Sequence, residues 1–389
     1  MISIGVNKED FKRAVTLSRK ALSKIIIQEE RGHLLFSVDG STMSVMGTNN
    51  NLKARCIIDV ENNEDQKFSF TSDPKILEKL ISKIDVSTIR IDFDSEKNTI
   101  KIFTSDNKRS YTTLQSFLPD NMLTFEDPSL QERKQYVLNL KLFLFALKYS
   151  LNYLAPMKEE QKNFDFVTIT KGLVFAANGS NKMGFLAAGA FKPIPEIKIR
   201  KEVIPMMVNF IMKLEGETVN VVETGKDIGV ESSDGKFYFS SLKSNVEAPK
   251  INKDYVVSSE PYITIDKTRL MKVSDRVVIN SPSAAMIGLD TVLSGSGEDG
   301  QLELKLVSNS VESVEVINCN RVGDTDEKID HIIDYKLLRT LLGSFNAEED
   351  IRLHICDKTK FWKVYSSGAI DDNKYIVSGI GTYAKVVRN

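Results

Sequence analysis

The feature that most constrains this 389-residue chain is a segment that occurs three times. The three copies cover residues 88–114, 218–242 and 350–377. In each copy, apolar and polar residues alternate over short runs separated by polar turns, a pattern typical of half-buried antiparallel strands. In the first copy, Ile89, Ile91 and Phe93 alternate with polar residues. The copies begin 130 and 132 residues apart, which is the size of a domain, so the repeat predicts three similar domains in tandem.

The segments upstream of each copy repeat as well. Apolar residues at helical spacing predict a helix directly before each copy, at 73–84, 200–214 and 334–345. A second helix is predicted further upstream in each unit, at 8–24, 140–153 and 266–279. A predicted hairpin follows that helix, at 33–49, 164–180 and 284–309. Each unit therefore runs helix, strands, helix, strands, and the predicted fold class is α+β.

Two stretches rich in proline and charge are predicted linkers, namely 119–135 and 247–262. They place the three domains at 1–125, 126–255 and 256–389.

Composition excludes several classes of protein. Apolar residues make up 41% of the chain and charged residues 27%, as in ordinary globular proteins. No apolar run approaches the roughly 18 residues that a membrane span needs, and the N-terminal residues lack the apolar core of a signal peptide. The three cysteines, Cys56, Cys319 and Cys356, have no metal-ligand spacing. We therefore expect a cytoplasmic protein with neither a metal nor a cofactor.

Three segments, read in this order, carry a resemblance to a known family. They are HLLFSVDGSTMSV (33–45), LVFAANGSNKMGF (173–185) and DDNKYIVSGI (371–380). Within three repeated units, they resemble the bacterial DNA polymerase sliding clamp, the β subunit or processivity factor. The sequence departs from the family at NGSNKM (178–183), at SGIG (378–381) and in the C-terminal extension 381–389. Such divergence is typical of a phage-encoded clamp, for which the location would be the host cytoplasm.

The resemblance implies three DNA-clamp domains in which helices line a ring and antiparallel sheets lie outside. It implies a non-catalytic accessory subunit that encircles double-stranded DNA without reading its sequence and confers processivity on the replicative polymerase. It further implies a homodimer that binds peptides of the polymerase and of an ATP-driven clamp loader.

The distribution of charge agrees with this function. The chain has a net charge of −1, but the six predicted helices together carry +12 and the remainder −13. A basic lining attracts phosphates without sequence readout, and an acidic exterior repels them. The candidate DNA-binding residues are Lys12, Arg13, Arg19, Lys20, Lys24, Lys79, Lys83, Lys141, Lys148, Lys198, Arg200, Lys201, Lys213, Arg269, Lys272, Arg276, Lys336 and Arg339.

The resemblance also implies two protein-binding surfaces. A pocket for partner peptides would be formed by Phe164, Met183, Phe185, Pro249, Ile376, Val377 and Ile380. The homodimer would pair edge strands of the first domain of one chain and the third domain of the other. The candidate strands lie near 103–112 and 288–306.

Two alternatives to a clamp follow from the residues. A clamp-fold regulator would bind polymerase or clamp loader without encircling DNA. A metal-dependent nuclease would use the acidic cluster of Asp92, Asp94 and Glu96. Gly295, Gly297 and Gly300 match a dinucleotide-binding motif, but the alternating segment that follows predicts a strand where that motif requires a helix.

Overall fold

The computed structural model describes residues 2–22, 32–49, 51–62, 66–105, 107, 109–119, 126, 131–154, 165–178, 182–244, 246, 262–279, 286–292, 299–306, 313–322, 330–345, 350–354, 361–382 and 384–385. Most of both predicted linkers and most of the GxGxxG segment lie outside these residues.

Each of the three predicted units has the same order of elements. The first contains β1 (Ile2–Asn7), α1 (Lys8–Ser18), β2 (Leu34–Asp39), β3 (Thr42–Thr48), β4 (Leu52–Glu61), β5 (Phe68–Ser72), α2 (Pro74–Ile81), β6 (Thr88–Asp94), β7 (Thr99–Phe103) and β8 (Tyr111–Gln115). The second contains β9 (Arg133–Asn139), α3 (Leu140–Leu151), β10 (Phe166–Thr170), β11 (Leu173–Asn178), β12 (Lys182–Ala188), β13 (Ile197–Arg200), α4 (Ile204–Ile211), β14 (Thr218–Thr224), β15 (Asp227–Ser232) and β16 (Phe237–Leu242). The third contains β17 (Tyr262–Asp266), α5 (Lys267–Val277), β18 (Met286–Val292), β19 (Asp299–Leu306), β20 (Val314–Val322), β21 (Asp330–Asp334), α6 (Tyr335–Gly343), β22 (Asp350–His354), β23 (Phe361–Ile370) and β24 (Asn373–Thr382), followed by β25 (Ala384–Lys385).

The predicted fold class is confirmed, because all observed strand pairs in the described part of the chain are antiparallel and helices separate the strand groups. The strand that leads into each upstream helix, namely β1, β9 and β17, was not predicted. The helix predicted at 200–214 is wrong at its start, because the segment 197–200 is a strand and the helix begins at Ile204. Ile197 and Ile199 alternate with polar residues, and this segment pairs with β10 as the strand β13.

The described residues form two compact units. The first unit comprises Met1–Leu140 and Met206–Lys243, and the second comprises Lys141–Pro205 and Ser244–Asn389. Each unit contains one continuous sheet, of 12 strands in the first and 13 in the second. The division falls within the second predicted domain, so the three predicted domain boundaries stay predictions.

Edge pairing explains this division. In the first unit, β16 pairs with β4, with Phe237 opposite Cys56 and Ser241 opposite Leu52. In the second unit, β12 pairs with β24 from Lys182 opposite Gly381 to Ala188 opposite Tyr375. Because each sheet of the second domain continues into the sheet of a neighbouring domain, its two halves fall into different units.

The C-terminal extension adds to the second sheet. Its residues Ala384 and Lys385 form β25, opposite Ile332 and His331 of β21. An added strand covers backbone groups that an edge would otherwise leave exposed.

Candidate nucleic-acid and partner interfaces

The helices that carry the candidate DNA-binding residues begin at well-defined N-caps. The Asn7 Oδ1 atom accepts hydrogen bonds from the amides of Glu9 (2.9 Å) and Asp10 (3.2 Å) at the start of α1. Asp266 caps α5 in the same way, and Asp334 caps α6. In these three helices the cap is the residue at the end of the preceding strand, so strand and helix are joined without a loop.

One face of each helix is apolar and buried. In α1 the buried side chains include Phe11, Val15 and Leu17, and in α5 they include Leu270 and Val273. In the helices other than α4, the opposite face carries most of the basic residues. This amphipathic arrangement presents the cations to solvent while the apolar stripe holds the helix against the sheet.

The charge segregation predicted from the sequence persists with the observed helix bounds. The six helices and the 3-10 turn Arg19–Ala21 contain 15 basic and 4 acidic residues, a net charge of +11. The helix α4 contributes no charge, because its predicted basic residues lie outside its observed bounds. The rest of the chain therefore carries −12.

Most of the candidate DNA-binding side chains are accessible. Those exposed to solvent are Lys12, Lys20, Lys79, Lys83, Lys141, Lys148, Arg200, Lys213, Arg269, Lys272, Arg276, Lys336 and Arg339. Arg13, Arg19 and Lys198 are half-buried, and Lys24 lies outside the described residues.

Several of these cations are held by carboxylates. Those in ion pairs are Arg13 with Glu215, Arg19 with Glu78, Lys141 with Asp371, Lys198 with Glu196, Arg276 with Glu315, and Arg339 with Asp275. One of them is bidentate: Arg276 Nε and Nη2 each donate to Glu315 at 2.8 Å, and these bonds lower the pKa of Glu315. Within the described part of the chain, no carboxylate lies within ion-pair distance of Lys12, Lys20, Lys79, Lys83, Lys148, Arg200, Lys213, Arg269, Lys272 or Lys336.

The structure does not support Lys201 as a DNA contact. Its side chain is 1% exposed and forms a 2.8 Å ion pair with Asp165, so it neutralises a charge inside the protein. Lys198 and Arg200 lie on the strand β13 rather than on a helix, since this segment pairs with β10.

Sequence reasoning missed one exposed helix cation. Lys75 is exposed on the first turn of α2, four residues before Lys79 and eight before Lys83. Residues at this spacing lie on one face of a helix. The spacing alone was sufficient to include Lys75 with the other two.

Part of the predicted peptide pocket is assembled in one place. Met183 and Phe185 on β12 and Ile380 on β24 pack with Phe175 on β11. Met183 lies directly opposite Ile380 in the sheet, and the rings of Phe175 and Phe185 are 5.0 Å apart. Phe185 and Ile380 are buried, whereas Met183 is half-buried, as is Leu173, which packs against the same cluster.

The other predicted pocket residues do not join this cluster. Val377 lies opposite Leu186 and is fully buried on the other face of the sheet, the face on which Tyr153 packs against Gly184 and Gly379. Ile376 is four residues from Ile380 on the same strand, about 13 Å at the usual rise per residue. Phe164 and Pro249 lie outside the described residues.

One of the two predicted dimer strands is a sheet edge and the other is not. The strand β8 (Tyr111–Gln115) overlaps the predicted segment 103–112 at its first two residues and is the last strand of the first sheet. Among the described strands, it pairs with β7 alone. The strands β18 and β19 within 288–306 each have two neighbours, so neither offers an edge. The free edge belongs to β20, which pairs with β17 only at residues 320–322.

The acidic cluster is committed to local structure. Arg90 donates to both carboxylate oxygens of Asp92, at 2.8 and 3.0 Å, and Asp92 is buried. Asp94 accepts from the amides of Glu96 and Lys97 at the β6–β7 turn. Among the described residues, no group of three or more His, Cys, Asp or Glu side chains is arranged to hold a metal ion. The contacts of Asp92 and Asp94 therefore favour structural roles over catalysis.

Among the described residues, no helix combines the length and apolar character needed to span a membrane.

Comparisons with known proteins agree with this architecture. No family model matches the sequence, and no curated protein matches it. Solved structures do match. The chain is similar to the DNA polymerase III subunit beta of Pseudomonas aeruginosa, with a TM-score of 0.78 and 14% identity over 99% of this chain and 100% of that one.

Two further structures match over the same extents, 99% of this chain and 100% of theirs. They are the sliding clamps of Caulobacter crescentus, with a TM-score of 0.76, and Bacillus subtilis, with a TM-score of 0.78, each 12% identical. The resemblance read from the sequence is thus confirmed at the level of the fold. This chain has the fold of the bacterial DNA polymerase III beta sliding clamps.

Proposed function

We propose that this protein is a DNA sliding clamp. In this proposal, two copies form a closed ring around duplex DNA and tether the replicative polymerase, and the protein catalyses no reaction. The observation that carries the proposal is the net charge of +11 on the helices. In the described part of the chain, ten of the predicted DNA-binding cations have no carboxylate within ion-pair distance. Unpaired, flexible lysines attract phosphates without fixing one register, which is the requirement for sliding.

The salt dependence of DNA binding tests the proposal. A triple variant, Lys12→Gln, Lys79→Gln and Lys272→Gln, removes three unpaired helix cations. A ring of two copies loses six such cations, so if each neutralises one phosphate, the slope of log K against log salt becomes shallower by about 5.4, at roughly 0.9 per phosphate. The matched control removes three exposed lysines that lie away from the helices, at positions 97, 134 and 226.

We expect the control triple variant to bind DNA as the wild type does. Protein loaded on nicked circular plasmid should also remain bound, and should be lost when the plasmid is cut. Equal losses of DNA affinity in the two triple variants would show that the helices are not the DNA-binding surface. Binding to polymerase or loader with no salt-sensitive retention on circles would instead support the clamp-fold regulator.

The internal repeat supports a specific dimer junction. Within the chain, the fourth strand of one unit pairs with the last main strand of the next, as β4 with β16 and β12 with β24. The corresponding strand of the third unit is β20, and the last strand of the first unit is β8, which ends its sheet. We infer that β20 of one protomer pairs with β8 of its partner, which replaces the predicted strands at 288–306.

The exposed side chains of these strands fit this pairing. Val314 and Val316 on β20 are 43% and 46% exposed, and Tyr111 on β8 is 47% exposed. Transferring the β4–β16 register places Tyr111 opposite Val314, and transferring the β12–β24 register places it opposite Val316. Both registers put the exposed tyrosine against an exposed valine, so pairing would bury apolar surface.

Light scattering over a concentration series tests the junction. We expect a mass of two chains for the wild type and a weaker dimer for the Val316→Asp variant. The control is Val137→Asp, because Val137 is 64% exposed on β9, another edge strand. A strict monomer, or equal effects of both substitutions, would contradict the proposed junction.

We further propose that the cluster around Met183 binds the partner peptides of the polymerase and clamp loader. Met183 is half-buried against Phe175, Phe185 and Ile380, so an apolar peptide side chain would cover it. The Met183→Lys variant should lose peptide binding while retaining its dimer mass. Unchanged peptide affinity in that variant would place the pocket elsewhere.

A further inference from the structure

A second groove lies at the other end of the strands that carry the Met183 cluster. It has a volume of about 660 Å³ and is formed by the β10–β11 turn, the 3-10 turn Gly189–Phe191, the end of β23 and the start of β24. Ile376 lines it, about 13 Å along β24 from Ile380. None of the residues of the Met183 cluster lines this groove, although Ala187 of the groove is only two residues from Phe185 on β12.

Small residues shape the floor of this groove. Ala187, Gly368 and Ala369 line it without filling it. Gly172 has φ +95°, and a Cβ there would stand 3.2 Å from Lys192 Cγ, so glycine keeps the turn close to the neighbouring segment. The floor also includes Ile376, which is half-buried. An apolar side chain of a ligand would fit against such a floor.

Three lysines surround the floor. Lys171, Lys192 and Lys374 all line the groove and are exposed. Within the described part of the chain, none of the three lies within ion-pair distance of a carboxylate. Three like charges around one groove repel one another, and an anionic ligand would relieve that repulsion.

The lining distinguishes between classes of anion. Arginine forks and aromatic faces that stack on bases are typical of nucleic-acid grooves. Here the cations are lysines, and the only aromatic residue among those that line the groove, Tyr375, is buried at 3% exposure and packed against Phe145. The apolar floor and the three surrounding lysines together match a peptide that carries both carboxylates and an apolar side chain.

We propose that this groove binds an acidic peptide segment of a partner protein. An apolar side chain of that segment lies on Ala187 and Ile376, and its carboxylates pair with Lys171, Lys192 and Lys374. The groove shares no lining residue with the Met183 cluster, and none of its lining residues lies on a proposed DNA-binding helix.

Fluorescence anisotropy with the full chain tests this proposal. The probe is a fluorescein-labelled synthetic peptide with one phenylalanine flanked by three glutamates on each side, and the control probe has lysines in place of the glutamates. We expect the acidic probe to bind and the basic one not to bind. The triple variant Lys171→Gln, Lys192→Gln and Lys374→Gln should bind the acidic probe about tenfold more weakly, since each exposed ion pair contributes little alone.

Two controls make the result specific to the groove. The triple glutamine variant at positions 97, 134 and 226 has the same change in charge and should bind the acidic probe as the wild type does. The Ala187→Glu variant adds an anion to the floor and should also weaken binding. Retained dimer mass and DNA retention in both groove variants would show that the fold and the proposed clamp function are intact.

The proposal is wrong if the acidic probe does not bind, or if the two triple variants lose affinity equally. It is also wrong if a single-stranded oligonucleotide competes for the groove more strongly than the acidic peptide. That outcome would assign the groove to nucleic acid.

Discussion

A close approach between Tyr153 and two strands gives a sharp test of the packing. Gly184 on β12 lies opposite Gly379 on β24, and the Tyr153 ring packs on both. A Cβ at Gly184 would stand 2.5 Å from Tyr153 Cγ and 2.6 Å from Cε2. Ordinary carbon contacts are about 3.5–4.0 Å, so the Gly184→Ala substitution must displace the ring by about 1 Å.

The ring has little room to move. Tyr153 is fully buried, and its hydroxyl accepts a 3.2 Å hydrogen bond from Tyr149. Overpacking of this kind costs about 1–3 kcal/mol. Alanine also restricts the unfolded chain, which stabilises by about 0.4–1 kcal/mol. We therefore expect Gly184→Ala to lower the free energy of unfolding by about 1–2 kcal/mol.

Urea unfolding followed by the fluorescence of Trp362 measures this effect. Trp362 is the single tryptophan, and it lies on β23, the strand next to β24. The matched control is Gly189→Ala in the same unit, because a Cβ there meets no atom within 4 Å. This control should unfold at the wild-type urea concentration or slightly above it.

A double-mutant cycle isolates the contact. Replacing Tyr153 with leucine removes the ring, so Gly184→Ala should cost little in that background. We expect a coupling energy of about 1–2 kcal/mol between the two positions. The packing argument would be refuted if Gly184→Ala were as stable as Gly189→Ala, or if the two changes were additive.

Three further predictions concern buried polar groups. Glu231 is 3% exposed and accepts two 2.9 Å hydrogen bonds from Arg133. Glu231→Gln should therefore lower the free energy of unfolding by about 3 kcal/mol, measured as a lower midpoint in urea unfolding. Lys201→Met should destabilise the second unit, because it removes the buried cation that pairs with Asp165, but it should leave the salt slope of DNA binding unchanged. A shallower slope would restore Lys201 to the DNA-binding surface. Burial raises the pKa of Tyr153 to about 12, so its contribution to stability is complete below pH 10 and is lost as the pH rises towards 12. Between these pH values the Tyr153→Phe variant should lose less stability than the wild type, and parallel losses would contradict this account.

The repeat and most helices were predictable because their signals are local. Apolar spacing at 73–84 and 334–345 indicates the helices observed at Pro74–Ile81 and Tyr335–Gly343. The helix predicted to begin at residue 200 begins only at Ile204, because the two isoleucines in the segment 197–200 favour a strand. Lys198 and Arg200 were therefore assigned to a helix that does not include them.

The partner surfaces were less predictable because they depend on pairing between distant residues. Ile376 and Val377 are adjacent in sequence, yet strand alternation places them on opposite faces of the sheet. Which strands remain unpaired depends likewise on the whole sheet. The family resemblance suggested an edge strand within 288–306, but both of the strands in this segment are paired on two sides.

The sequence by itself determined the threefold repeat, the α+β class and the concentration of positive charge on the helices, because periodicity and charge are properties of short segments. Only the tertiary structure decided that Lys201 is an internal ion-pair partner, that β20 has the free edge, and that Lys171, Lys192 and Lys374 meet around one groove. The physical reason is that burial, edge status and charge clustering arise from contacts between residues far apart in the chain. No local pattern encodes those contacts.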